Sequence, residues 1–222
     1  MVRRLSIFLS VSLFFLLSVS FASADSVDFM NFNYLKDGQQ VGTFYAGGSG
    51  NSGVPNFGIT FSSNFYGLRS EFQGGSGAFM PDPTGTPVIF ITGTNGSPVT
   101  GSMTVANGFS SGLNFLYSAA FQETVTVWSG ANGTGTVLAT IALAVNDGNC
   151  STVSFCNWTV AGGSFSGTAG SVTFSGPANT MGLTDITLGQ STSAIPEPSS
   201  IYLLGTGIVG CGVQGLRRFL KR

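Results

Sequence analysis

Residues 123–145 read ETVTVW, then SGANGTG, then TVLATIALAV. Side chains alternate between faces along an extended chain, so Val125 and Val127 share one face and Thr124, Thr126 and Trp128 the other. The second run places Val137, Ala139, Ile141, Leu143 and Val145 together. Between the runs, Asn132-Gly133 favours a positive-φ turn, so the segment reads as a β-hairpin with a loop longer than two residues.

Short runs of the same texture recur, each bounded by Gly, Asn, Pro or Ser: GTFYA (42–46), GITFSS (58–63), TPVIFIT (86–92), SMTVA (102–106), LNFLYS (113–118), SFCNWTV (154–160), SVTFSG (171–176) and DITLG (185–189). With the hairpin they make about ten strands, a number and spacing suited to two packed antiparallel sheets. No long amphipathic helix is visible, and glycine and β-branched residues are poor helix formers. The expected fold is all-β: a single antiparallel, jelly-roll-like β-sandwich over residues 25–189, followed by a linker at 190–195.

Both ends of the chain differ from this body. Arg3 and Arg4 precede an apolar stretch from Leu5 to Phe21, and Ala22-Ser23-Ala24 has the small-x-small form of a signal-peptidase site. Residues 1–24 therefore read as a signal peptide, cleaved before Asp25. At the other end an apolar run from Ser200 to Leu216 contains Gly205, Gly207, Gly210, Gly212, Gly215 and Gln214. As a helix it spans ~25 Å, a little under a ~30 Å hydrocarbon core. Phe219 and Leu220 extend it, and Arg217, Arg218, Lys221 and Arg222 can snorkel to headgroups. Cations placed after the helix leave the C-terminus cytoplasmic and the body outside.

The terminal segments hold most of the positive charge. Between Asp25 and Ile195 only Lys36 and Arg69 remain, facing Asp25, Asp28, Asp37, Glu71, Asp82, Glu123, Asp147 and Asp185. Two cations against eight acids leave the body six charges negative, which repels nucleic acid. The chain has no histidine, which excludes Ser-His-Asp and Cys-His catalysis and every His-ligated metal site. Cys150 and Cys156 enclose STVSF and, in an exported segment, are expected to form a local disulfide worth ~2 to 3 kcal/mol. Cys211 lies in the C-terminal apolar run.

IPEPSS, the Gly/Leu-rich apolar run and RRFLKR, in that order at the C-terminus, resemble the PEP-CTERM sorting signal of Gram-negative bacteria. The resemblance covers residues 196–222. It implies that Pro196, Glu197 and Pro198 are recognised by a membrane-embedded exosortase, which cleaves near them and hands the body to the cell surface or the extracellular matrix of a biofilm. Two prolines also hold the tripeptide extended, as a protease substrate needs. The body is similar to the β-sandwich ectodomains that precede such signals, in DGQQVGTFYAGG, NFGITFSSN, VTVWSGANGTGTVLATIAL, FCNW and GLTDITLG.

Little in the body points to catalysis. Glu71 and Glu123 are the carboxylates to consider for glycoside hydrolysis, which needs two flanking one bond, but no spacing pairs them. The expectation is a protein that is not an enzyme and carries no cofactor, with structural calcium as the one metal to consider. Asp28 and Asp185 would meet if the terminal strands pair, while the loop NDGNC lacks the alternating acids of a calcium loop. Trp128 and Trp158, with tyrosines such as Tyr117, are candidates for stacking on extracellular polysaccharide, against the alternative that they fill the core. Asn95, Asn132, Asn149 and Asn157 each begin an Asn-x-Ser/Thr triplet and read as turn or strand-edge residues.

Overall fold

The computed structural model describes residues 28–48 and 53–189. The signal peptide with Ala22 and Ala24, the linker, Pro196 to Pro198 and the basic end lie outside the described residues.

The described chain is all-β, in two antiparallel sheets. One holds β1 (Asp28–Met30), β2 (Gln39–Gln40), β4 (Phe65–Leu68), β5 (Val88–Ile91), β7 (Gly112–Ala119), β10 (Thr159–Ser164) and β12 (Met181–Leu188). Its order is β10-β7-β12-β5-β4-β2, with β1 also against β12. The other sheet runs in the order β3 (Ile59–Phe61), β6 (Pro98–Phe109), β11 (Ala169–Pro177), β8 (Glu123–Trp128), β9 (Val137–Leu143). Among the described residues, no helix is long and apolar enough to cross a membrane.

Inward positions of the two sheets make the core. Met103, Val105, Val125, Val127, Val172 and Phe174 of the five-stranded sheet face Ile89, Ile91, Leu113, Phe115, Tyr117 and Leu183 of the seven-stranded one, all buried. Phe174 bridges the layers, meeting Phe65 at 6.0 Å and Phe115 at 5.8 Å between ring centres, both edge to face. Room for Phe65 comes from Gly101, where a Cβ would lie 2.3 Å from the Phe65 ring.

The β8–β9 hairpin forms as the alternation demands, with Val125 opposite Ile141 and Thr126 opposite Thr140. Asn132 and Gly133 turn at φ of 54° and 73°. Val137 departs from expectation. A bulge pairs Trp128 with Val137 while Val127 pairs with Ala139, and the extra residue rotates Val137 off the core face. It is exposed, and Leu138 packs against the core instead.

Two expected strands are something else. GTFYA contains a 3-10 turn at Phe44–Ala46 between Gly42 and Gly47, both at positive φ. Its adjacent Phe44 and Tyr45 are both buried, which strict alternation forbids. In SFCNWTV the strand begins only at Thr159, because Cys150 and Cys156 are disulfide-bonded and the segment before it belongs to that closed loop. The β4 segment FYGL, interrupted by Gly67, escaped the sequence reading.

A second, smaller core covers the outer face of the seven-stranded sheet. Phe79, Val88, Phe90 and Phe155 are buried there, with Leu68, Ala120 and Trp158 against them. Both faces of β5 are thus covered, in keeping with its uninterrupted apolar sequence VIFI.

Candidate functional site

The outer face of the five-stranded sheet is where the sequence concentrates hydroxyls. Val and Phe at inward positions force Thr and Ser to the other side, and the register aligns them across strands. One row runs Thr60, Thr104, Ser171, Trp128, Val137; the next runs Ser102, Thr173, Thr126, Thr140; a third runs Thr100, Ser175, Thr124, Ala142. The only charged residue in these five strands, Glu123, faces inward with Val125 and Val127.

Trp128 lies half-buried on this face, and its indole N–H donates to Thr173 Oγ1 at 2.9 Å. The β8–β9 loop lies over Thr104 and Ser171, the middle of the first row. Gly133 N–H donates to Ser171 Oγ at 2.9 Å, Ser171 Oγ donates to Gly130 O at 2.6 Å, and Asn132 meets Thr104 Oγ1 through both its amide N–H and its Oδ1. Thr100 and Ser175 hydroxyls pair at 2.9 Å. Thr124 and Thr140 are exposed, and Ser102 and Thr126 partly so.

Trp158 has a different setting. Its indole N–H donates to Met80 O at 3.0 Å, and its ring stands edge to face on Phe79 at 6.1 Å. It fastens the disulfide loop over the second core and, like Trp128, is half-buried. Beside it, Leu68, Gly77, Phe79, Phe90, Phe155 and Asn179 line a recess of about 190 Å³. Tyr117 is core, 5% exposed, with its hydroxyl on Ala144 O.

The terminal strands pair, but in a register that sets Asp28 opposite Leu188 and Met30 opposite Ile186 and leaves Asp185 beyond the paired residues. Asp185 sits in the β12 bulge at φ 50°, and its carboxyl shares the Thr84 hydroxyl with Asp82, which the calcium expectation did not include. Thr84 Oγ1 donates to Asp82 Oδ2 and lies 3.1 Å from Asp185 Oδ2. Asp82 is 4% exposed and also accepts the amides of Thr86 and Thr84 at 2.7 and 3.1 Å. Asp185 Oδ1 is buried without a partner. Burial pushes Asp185 above the ordinary carboxylate range, the Thr84 hydroxyl opposes this, and the Asp82 charge adds to it. Among the described residues, no group of three or more Cys, Asp or Glu gathers as a metal would need.

Glu71 and Glu123 occupy unlike places. Glu71 is exposed in a 3-10 turn beside the disulfide loop. Glu123 is 2% exposed, and its Oε1 accepts from Thr180 Oγ1 at 2.6 Å. Burial raises its pKa to about 7 against the opposing effect of that hydroxyl. The four triplet asparagines stand in turns and loops: Asn132 and Asn149 have positive φ, Asn157 Nδ2 donates to Asn146 O and Gly148 O, and Asn95 accepts from Asn179.

No family model matches the chain, and no curated protein does. Among solved structures it is similar to a family 6 carbohydrate-binding module, with 13% identity, 76% of this chain and 95% of that one covered, and a TM-score of 0.39. A family 29 carbohydrate-binding module shares 12% identity over 78% of this chain and 99% of that one, with a TM-score of 0.42. The K1 cleaved adhesin domain of Lys-gingipain from Porphyromonas gingivalis W83 shares 10% identity over 75% and 99%, with a TM-score of 0.46. A likeness of this size carries no residue-by-residue correspondence.

Proposed function

We propose that the chain is an exported, non-enzymatic β-sandwich of the cell surface or extracellular matrix, anchored transiently by its C-terminal helix and released by an exosortase acting at Pro196, Glu197 and Pro198. The observation that carries this reading is the Cys150–Cys156 disulfide, since such bonds persist in oxidising compartments outside the cytosol. The signal peptide, the PEP-CTERM-like tail and the absence of histidine support it from the sequence. Mass spectrometry of the protein secreted by its native host tests it. The mature chain should begin at Asp25 and end near Pro198; an intact 199–222 tail would overturn processing.

A second reading is binding of extracellular polysaccharide. It is favoured by one observation: Trp128 stands half-exposed on an uncharged outward sheet face. Aromatic faces stack on apolar surfaces while hydroxyls around them exchange hydrogen bonds. Saturable binding of any polysaccharide by the full chain tests it, and none from a broad panel would overturn it.

A further inference from the structure

We infer that the outer face of the five-stranded sheet along β8 and β9 is a binding surface for a neutral, extended polysaccharide chain, with Trp128 as the stacking platform and Thr124, Thr126 and Thr140 as the polar contacts. The inference rests on the carbohydrate reading above and assigns it a site.

Chemistry decides the occupant. The face offers no cation to neutralise a polyanion, and its five strands contain no Lys or Arg at all. Nor does it offer the aromatic and aliphatic centre that a protein interface or a lipid surface requires, since Trp128 is the only aromatic among its outward positions. What it repeats is the hydroxyl, which both donates and accepts. A chain that itself presents hydroxyls around apolar ring faces, and no charge, is the complement.

Geometry adds order. Neighbouring strands set hydroxyls about 4.8 Å apart, and alternate residues along a strand set them about 6.7 Å apart. The register keeps them in straight rows. Threonine side chains are stiff at χ1, so little rotamer freedom is lost on contact. The indole is held by its bond to Thr173. Hydroxyls near the β8–β9 loop are already engaged with Asn132, Gly133 and Gly130. A ligand is therefore directed away from the loop, over Trp128 and along β8 and β9, where the exposed threonines lie.

The test is affinity electrophoresis and calorimetry of the full chain in detergent against neutral probes (hydroxyethylcellulose, galactomannan, dextran) and one anionic probe (alginate). At least one neutral probe should bind saturably and alginate should not. Trp128→Ala should weaken that binding tenfold or more. Thr140→Lys, a change at an exposed edge position that spares the core, should weaken it at least threefold with an unchanged melting temperature. Trp158→Ala should leave it within twofold. Neutral binding that survives both Trp128→Ala and Thr140→Lys would overturn this face while leaving the carbohydrate reading standing. Binding of alginate alone would overturn the neutral assignment. No binding to any probe would overturn the reading and the face together.

Discussion

The carboxylate of Glu123 fills the space that a side chain on Gly176 would occupy: a Cβ built on Gly176 would lie 1.3 Å from Glu123 Oε2. β11 carries glycine there, and the glutamate reaches across it to Thr180. Gly176→Ala should therefore lower stability by roughly 1–3 kcal/mol through overpacking, read as a drop in the denaturant midpoint.

Glu123 also fixes a pH dependence. Its folded pKa of about 7 lies above its ordinary value of 4.5, so between those values the folded state holds a proton that the unfolded state has lost. Stability from this group is full below the unfolded pKa and falls as pH rises through about 7. The loss is on the order of 3 kcal/mol. Glu123→Gln should flatten the melting-temperature profile across this window and exceed the wild type at pH values above it. An unchanged profile would show that Glu123 is not the group responsible.

Thr84 carries one hydroxyl proton and faces two carboxylates. It is shared between Asp82 Oδ2 and Asp185 Oδ2, and burial raises Asp185 above the ordinary carboxylate range against that hydroxyl. Asp185→Asn supplies an N–H in the same place and should preserve or raise the melting temperature, removing a stability term lost as pH rises above the ordinary carboxylate range. Asp82→Ala, which strands the buried amide of Thr86 and takes the partner from exposed Thr84, should cost roughly 1–3 kcal/mol. Both oxygens of Asp82 are engaged by amides and hydroxyls, so millimolar Ca²⁺ should leave the melting temperature unchanged. A rise abolished by Asp185→Asn would reverse that expectation.

Reduction of Cys150–Cys156, or the double change to serine, should lower stability by about 2 kcal/mol. It should also loosen the cover over the second core. In a Trp128→Phe background the remaining Trp158 reports this directly: its bond to Met80 and contact with Phe79 would give way to solvent, and its emission should shift to the red.

Two glycines separate backbone strain from contact. Gly167 has φ +92° with nothing near its missing Cβ, whereas Gly133 has φ +73° and a Cβ there would come within 2.7 Å of Thr173 Cγ2. Gly167→Ala should cost about 1 kcal/mol. Gly133→Ala should cost measurably more, and equal losses would mean that the β8–β9 loop rides freely over the face.

Local chemistry made the hairpin, its Asn132-Gly133 turn, the inward Val125 and Val127 and the disulfide legible, because each depends on residues a few positions apart. GTFYA misled because its pattern resembles a strand while Gly42 and Gly47 bend the chain. The burial of Glu123 left no mark in the sequence because its partners, Thr180 and Gly176, are more than fifty residues away. The hydroxyl rows were half visible: ETVTVW shows its own two threonines, but only the pairing of β6, β11, β8 and β9 reveals that Ser102, Thr173 and Thr140 stand in line with Thr126. Asp82 and Asp185 share the Thr84 hydroxyl through a bulge that no spacing announces.

The pairing of β1 with β12, which sets Asp28 opposite Leu188, gives this domain a clock. Its opening strand finds its partner only in the closing one, and loop closure over nearly the whole body must come before that reward. During synthesis, β1 emerges first and waits, unpaired, until β12 has followed. The sandwich is therefore sealed last at the seam where β1 meets β12, and it stays open there until its final strand has been made.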